Sequence, residues 1–116
     1  MSKTELGQQA ESRAEAFLFA QGLVPVARNW RCRFGEIDLV MRDGATLVFV
    51  EVRSRRRSDF GGAAASVTAA KQHKLVAAAR QYLAGLKSVP PCRFDVVALD
   101  GDAAPEWIQN AIDDMG

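Results

Sequence analysis

The sequence is poor in the residues that most often signal zinc or redox chemistry. Of its 116 residues, two are cysteine and one is histidine. Cys32 and Cys92 stand far apart without C-x-x-C spacing, so two buried free thiols are expected, and zinc held with His73 is disfavoured. An excess of one charge is also missing. Fifteen Lys and Arg against fourteen Asp and Glu leave a net charge of +1, so any polyanion must be met by local patches. No apolar run approaches the ~20 residues of a membrane span, and the first residues lack a basic-then-apolar leader. The cytoplasm is therefore the expected compartment. No internal repeat or low-complexity tract occurs. What is present, 48% hydrophobic and 25% charged residues, is the balance of a globular protein. A chain of this length supports one domain with a single core, residues 1–116.

The most informative stretch is Gly35 to Arg57, GEIDLVMRDGATLVFVEVRSRRR. It reads as a β-hairpin whose arms are Glu36–Met41 and Thr46–Arg53, around the turn-like Arg42-Asp43-Gly44-Ala45. Side chains alternate along a strand, which groups Glu36, Asp38 and Val40 on one face, and Leu47, Phe49, Glu51 and Arg53 on one face of the next strand. A two-residue Asp43-Gly44 loop pairs Asp38 with Phe49. A four-residue loop, Asp43 to Thr46, sets Asp38 opposite Glu51. Either register leaves Asp38 and Glu51 within reach of one ligand. Two carboxylates brought together on a mostly buried sheet repel unless a cation or a proton joins them. Oxygen ligands of this kind suit Mg²⁺ or Mn²⁺. The alternative is a solvated sheet face on which the acids pair with arginines.

The remaining elements follow in order. Residues from Thr4 to Gln21 carry Leu6, Ala10, Ala14, Phe17 and Leu18 at helical spacing, with Gly22 as terminator. Glu11 lies at the margin of that stripe. Leu23 to Asn29 is a short strand that Pro25 marks as an edge. Arg28, Trp30, Arg31 and Arg33 form a cluster that grips phosphates and stacks a base, or else a solvated strand end. Arg55, Arg56 and Arg57 continue the strand of Glu51 into the most basic run, a solvated loop or a path for a polyanion. A second helix runs from Ala63 to Leu86, capped by Ser66 or Thr68, with Leu75, Ala79, Tyr82 and Leu86 as its core stripe. Its Lys71 lies one turn before Leu75 and can reach the sheet face near the acids. Arg93 to Leu99 is another strand, and 101–116 adds a turn and a short strand or helix that covers the core. This order gives an α/β domain of three layers, a central mixed β-sheet flanked by helices.

Asp38, followed on the next strand by Glu51-Val52-Arg53, resembles the PD-(D/E)xK nuclease pattern. Further residues in sequence order extend the likeness: Gly7-x-x-x-Glu11-x-x-Ala14, Arg28-Asn29-Trp30-Arg31, Gly35-Glu36-Ile37-Asp38-Leu39, Val48-Phe49-Val50-Glu51-Val52, Arg55, Phe60-Gly61, Val67, Lys71, Tyr82-Leu83 and Arg93-Phe94-Asp95-Val96-Val97. Over residues 7–99 the chain resembles the YraN-like family, small bacterial proteins with a Holliday-junction-resolvase-like, restriction-endonuclease-type fold. The resemblance implies a metal held by Asp38 and Glu51 with Glu11 or Glu36, and DNA, branched or recombining, as the partner. Cutting both strands of a junction calls for a homodimer. Arg53 stands where the family usually has lysine. A guanidinium stabilises a pentacovalent phosphate but does not act as a base near neutrality. Two functions therefore stand side by side. One is a metal-dependent endonuclease using Asp38, Glu51, Arg53 and Lys71. The other is a nucleic-acid-binding module that keeps the fold without turnover.

Overall fold

One mixed five-stranded sheet, with a helix against each face, carries the chain in the computed structural model. Residues 3–54 and 68–112 are described, the first four of them as backbone only. The elements are α1 (Lys3–Ala20), β1 (Val24–Cys32), β2 (Gly35–Asp43), β3 (Thr46–Ser54), α2 (Ala69–Ala84), β4 (Cys92–Leu99) and β5 (Glu106–Ile108). Spatial order follows sequence order, β1-β2-β3-β4-β5. All neighbours are antiparallel except β3 and β4, which run parallel. A parallel pair needs a crossover, and α2 lies in that connection. This is the expected three-layer α/β arrangement.

Burial explains why β3 is almost continuously apolar. Leu47 and Phe49 pack with Leu75, Val76, Ala79 and Leu83 of α2, whereas Val48 and Val50 pack with Ala14 and Leu18 of α1. A strand covered on both faces has no polar side to show. Phe49 and Phe94 are fully buried and stack with centroids 5.4 Å apart. Truncating either to alanine would cost about 3–5 kcal/mol.

Local signals set the element ends. Gly22 has φ +102°, a conformation that terminates α1 at little cost for glycine. Thr68 is the cap of α2, its Oγ1 accepting from the Lys71 N–H at 3.2 Å. Positions 63–67, expected in that helix, lie outside the described residues. Because α2 stops at Ala84 with Gly85 as its cap, Leu86 falls beyond it and is exposed. Val76, Ala78 and Leu83 take its place in the core, with Tyr82 half-buried against them. The first strand runs on to Cys32, past the expected end at Asn29, and occupies the sheet edge that Pro25 implies. The final element is a strand, β5. Cys32 and Cys92 are free and half-buried rather than fully buried.

One buried acid fixes the far side of the sheet. Asp95 is fully buried on β4 and accepts from Arg93 Nε at 3.1 and 3.2 Å, Trp107 Nε1 at 2.9 Å and the Asn110 N–H at 2.9 Å. These donors satisfy a carboxylate that burial alone would penalise heavily, and they tie β5 and the residues after it to β4.

Candidate functional site

The β2–β3 register decides how the acids meet. Arg42 faces Leu47 and Leu39 faces Val50, the register of the four-residue alternative, with Asp43 and Thr46 also paired around Gly44-Ala45. One further step of that register sets Asp38 opposite Glu51. The regular ladder ends before that step. Asp38 Oδ2 instead accepts the N–H of Val52 at 2.8 Å, so a side chain replaces a strand carbonyl where the two strands part.

Strand alternation also slips at this point. Ile37 and Val40, three residues apart, both pack in the cluster on α2, and Ala27 and Trp30 do the same on the neighbouring strand. Between the latter two lies Asn29 at φ +54°, a left-handed conformation that asparagine tolerates. The slip frees Asp38 from either core. A cavity of about 380 Å³ opens there between the N-terminal half of α1 and the first turns of α2, lined by Glu11, Glu36, Asp38, Glu51, Lys71 and Lys74 among others.

Two of the four acids are buried: Glu11 is 8% and Glu51 4% exposed. Carboxylate oxygens of Glu11, Glu36 and Asp38 all lie within 4.8 Å of one another. That spacing is about twice a metal–oxygen distance for a hard divalent ion, and the donors are all oxygen. The donor set thus fits Mg²⁺ or Mn²⁺. Three acids have their own cation: Glu51 Oε1 is 3.0 Å from Lys71 Nζ and 3.6 Å from Arg53 Nη1, Glu36 is 2.8 Å from Arg31 Nε, and Glu11 is 3.8 Å from Arg28 Nε. Among the described residues Asp38 has no such partner. Burial, together with the charge of Glu51, pushes its pKa up to about 8; the Val52 N–H opposes the rise, and Glu11 and Glu36 add to it.

The other residues singled out from sequence divide. Arg28 turns inward, its Nη2 donating to the Gln8 carbonyl at 2.6 Å and to Ser12 Oγ at 2.7 Å, and thereby ties β1 to α1. Trp30 packs edge-on against Tyr82 at 5.3 Å between centroids and joins the periphery of the core. Arg31 stays 73% exposed at its side chain despite the bond to Glu36. Arg33 lies over the Phe34 ring at 4.8 Å. Arg53 is half-buried, and among the described residues its buried Nε has no hydrogen-bond partner. Arg55, Arg56 and Arg57 lie outside the described residues.

Sequence reasoning missed Gly35 and Lys74 as parts of the cavity wall. A Cβ on Gly35 would stand 3.3 Å from the Lys74 carbonyl oxygen, so this glycine lets α2 approach β2 closely. Its φ of +154° was not legible in the motif, although a glycine directly before Glu36 and Asp38 was the available signal.

Comparison with known proteins agrees with this chain-wide pattern. The profile of "Uncharacterised protein family UPF0102" matches residues 10–99. A UPF0102 protein of Cupriavidus taiwanensis is 64% identical over 114 residues, covering 97% of this chain and 86% of its own. One from Nitrosospira multiformis is 60% identical over 109 residues, 92% of each chain. Another from Nitrosomonas eutropha is 56% identical over 115 residues, 98% of this chain and 99% of its own. No described helix is long and apolar enough to cross a membrane. With nearly full-length identity to such relatives, the chain belongs to the uncharacterised protein family UPF0102, the YraN family that its motifs resemble.

Proposed function

We propose that this protein is a Mg²⁺- or Mn²⁺-dependent endonuclease that acts on DNA phosphodiesters, branched or recombining DNA included. The observation that carries the reading is the meeting of Glu11, Glu36 and Asp38 within 4.8 Å in a cavity that also holds Glu51. Asp38, Glu11 and Glu36 would hold the ion, while Glu51, paired with Lys71 and Arg53, lines the same cavity outside that group. Bound there, the ion supplies Lewis-acid activation of water and offsets charge on the phosphoryl oxygens.

The chain's own residues serve the phosphate. Arg53 stands on the strand of Glu51, its Nη1 3.6 Å from that acid, where a guanidinium can donate to a phosphate. Lys71 adds an ammonium beside Glu51 from a different element. Cations close to the carboxylates allow a polyanion to approach acids that would otherwise repel it. Arg31, largely exposed, and Arg33 extend the positive rim along β1.

The test is a cleavage assay on linear, single-stranded and four-way-junction DNA with Mg²⁺ or Mn²⁺, comparing wild type with Asp38→Ala. Cleavage that requires the metal and disappears in Asp38→Ala is expected. A second reading, a nucleic-acid-binding module without turnover, is favoured by Arg53 in the usual lysine position. It predicts DNA binding with no cleavage by either protein.

A further inference from the structure

We infer that the Arg33-Phe34 tip of the β1–β2 hairpin is a stacking finger that holds an unpaired nucleobase of DNA beside the acidic cavity. The inference rests on the nucleic-acid reading above and adds the feature of the substrate that the site selects.

The tip is short and firmly placed. Cys32 pairs with Gly35, which leaves only Arg33 and Phe34 in the turn. Two-residue hairpin turns favour glycine, asparagine and aspartate, because their backbone is tightly constrained. A phenylalanine in this position serves no turn geometry. It serves no core either: Phe34 belongs to neither hydrophobic cluster and is 40% exposed. The Arg33 guanidinium lies over its ring at 4.8 Å. That pairing orders the aromatic and keeps positive charge beside it.

Placement relative to the acids gives the exposed ring a use. Gly35 and Glu36, the next two residues, line the cavity. Phe34 precedes Glu36 by two residues, at the turn end of the same hairpin arm. Gly35 packs against the backbone of Lys74, so the tip is anchored to α2. Trp30, the aromatic on β1, is occupied by Tyr82 and the core edge. Of the two aromatics of this hairpin, Phe34 is thus the one with an exposed ring, and the exposed Arg31 and Arg33 supply positive charge on the same hairpin for flanking phosphates. Bases inside a duplex are already stacked, so this geometry selects a base that is unpaired. Stacking on an aromatic tolerates any base, which makes the selection one of structure and not of sequence.

The test uses a single-stranded oligonucleotide carrying 2-aminopurine, a duplex of the same sequence, and EDTA throughout. Wild type should quench the 2-aminopurine emission and bind the single strand about tenfold tighter than the duplex. Phe34→Ala should lose both effects with unchanged thermal stability. Phe34→Trp should restore them, and Phe34→Leu, apolar without a π face, should not. Equal quenching by wild type, Phe34→Ala and Phe34→Leu would overturn the finger, as would a wild type that binds the single strand no better than the duplex. Mn²⁺ binding is read separately by calorimetry on the same proteins. Its absence in wild type would overturn the metal site while the EDTA measurements still decide the finger.

Discussion

Lys71 Nζ lies 3.0 Å from Glu51 Oε1, the same oxygen that Arg53 Nη1 approaches to 3.6 Å. Two cations from different elements converge on one buried carboxylate. In the strand motif alone, Glu51-Val52-Arg53, a lysine is missing. The first turn of α2 supplies one, held in place by the Thr68 cap.

The two cations are therefore expected to differ in consequence. Lys71→Ala should lower metal-dependent cleavage on the order of a hundredfold, the usual scale for a positioned polar group at a reacting centre. Arg53→Lys should change the rate by less than about tenfold, since the lysine is already present. A large gain in Arg53→Lys, from background to measurable turnover, would return the role to the strand. Thermal melts of Lys71→Ala should fall only moderately, because Lys71 is half-exposed and Arg53 still stands beside the buried Glu51.

Asp38 gives a prediction about pH. Its pKa in the folded protein, about 8, lies above the ordinary 3.8, so the folded chain keeps a proton that the unfolded chain releases between those values. This contribution to stability is full below about pH 4, declines as pH rises, and is lost above about pH 8. Asp38→Asn removes the titration and keeps an acceptor for Val52. The metal-free variant should match wild type near pH 4 and melt higher at pH 8–9, by a margin of the order of a few kcal/mol. Mn²⁺ at pH 8 should raise the melting temperature of wild type and not of Asp38→Asn. Parallel melting curves for the two proteins across this range would show that Asp38 is ionised throughout.

Much of the site was legible because it follows from strand parity and helix spacing. Asp38 and Glu51 could be brought near one another from the loop between them, although the ladder stops one pair short and Glu51 lies outside the group of three acids, and Glu11 could be placed at the margin of the α1 stripe by its distance from Ala14 and Leu18. Lys71 could be aimed at the sheet from its place one turn before Leu75. What could not be read was the break in regularity. The slip at Asn29 and Asp38, and the side-chain bond from Asp38 to Val52, are properties of two strands parting, and a strict period of two has no place for them. Arg28 looked like its neighbours Arg31 and Arg33. Only the position of α1 over β1 shows that it is drawn inward. The exposure of Leu86 has a local origin instead, because helical periodicity was read past Gly85, a cap whose N–H donates to the Tyr82 and Leu83 carbonyls.

Gly35 should resist substitution. An added Cβ would meet the Lys74 carbonyl oxygen at 3.3 Å and the Lys74 Cβ at 3.4 Å, and the φ of +154° is unfavourable for an L side chain. Relief requires α2 to move away from β2, carrying Lys71 with it. Gly35→Ala should destabilise the fold by about 1–3 kcal/mol in denaturant titration. Its cleavage rate should fall further than that of an equally destabilised core variant such as Val76→Ala. Equal rates in the two would mean that the spacing of α2 does not govern the site.

The last prediction separates positioning from phosphate binding at Arg28. Its guanidinium donates to Gln8 and Ser12 of α1, and its Nε stands 3.8 Å from Glu11. Two opposing effects follow from its loss. Removing a positive charge near the acids favours a metal ion, but that pair is long and partly exposed, worth under about 1 kcal/mol. Removing the two charged hydrogen bonds frees the turn of α1 that carries Glu11, and such bonds contribute about 1.5–3 kcal/mol each. Positioning should win. Mn²⁺ affinity should drop about tenfold in Arg28→Ala and less in Arg28→Lys, because both bonds leave the single nitrogen Nη2 and an ammonium also offers several donors. If charge dominated instead, Arg28→Ala would bind Mn²⁺ more tightly and Arg28→Lys would match wild type. DNA binding gives the complementary reading. A phosphate contact at Arg28 would lower the slope of log K against log salt by about one when it is removed. With the side chain committed to α1, that slope should not change.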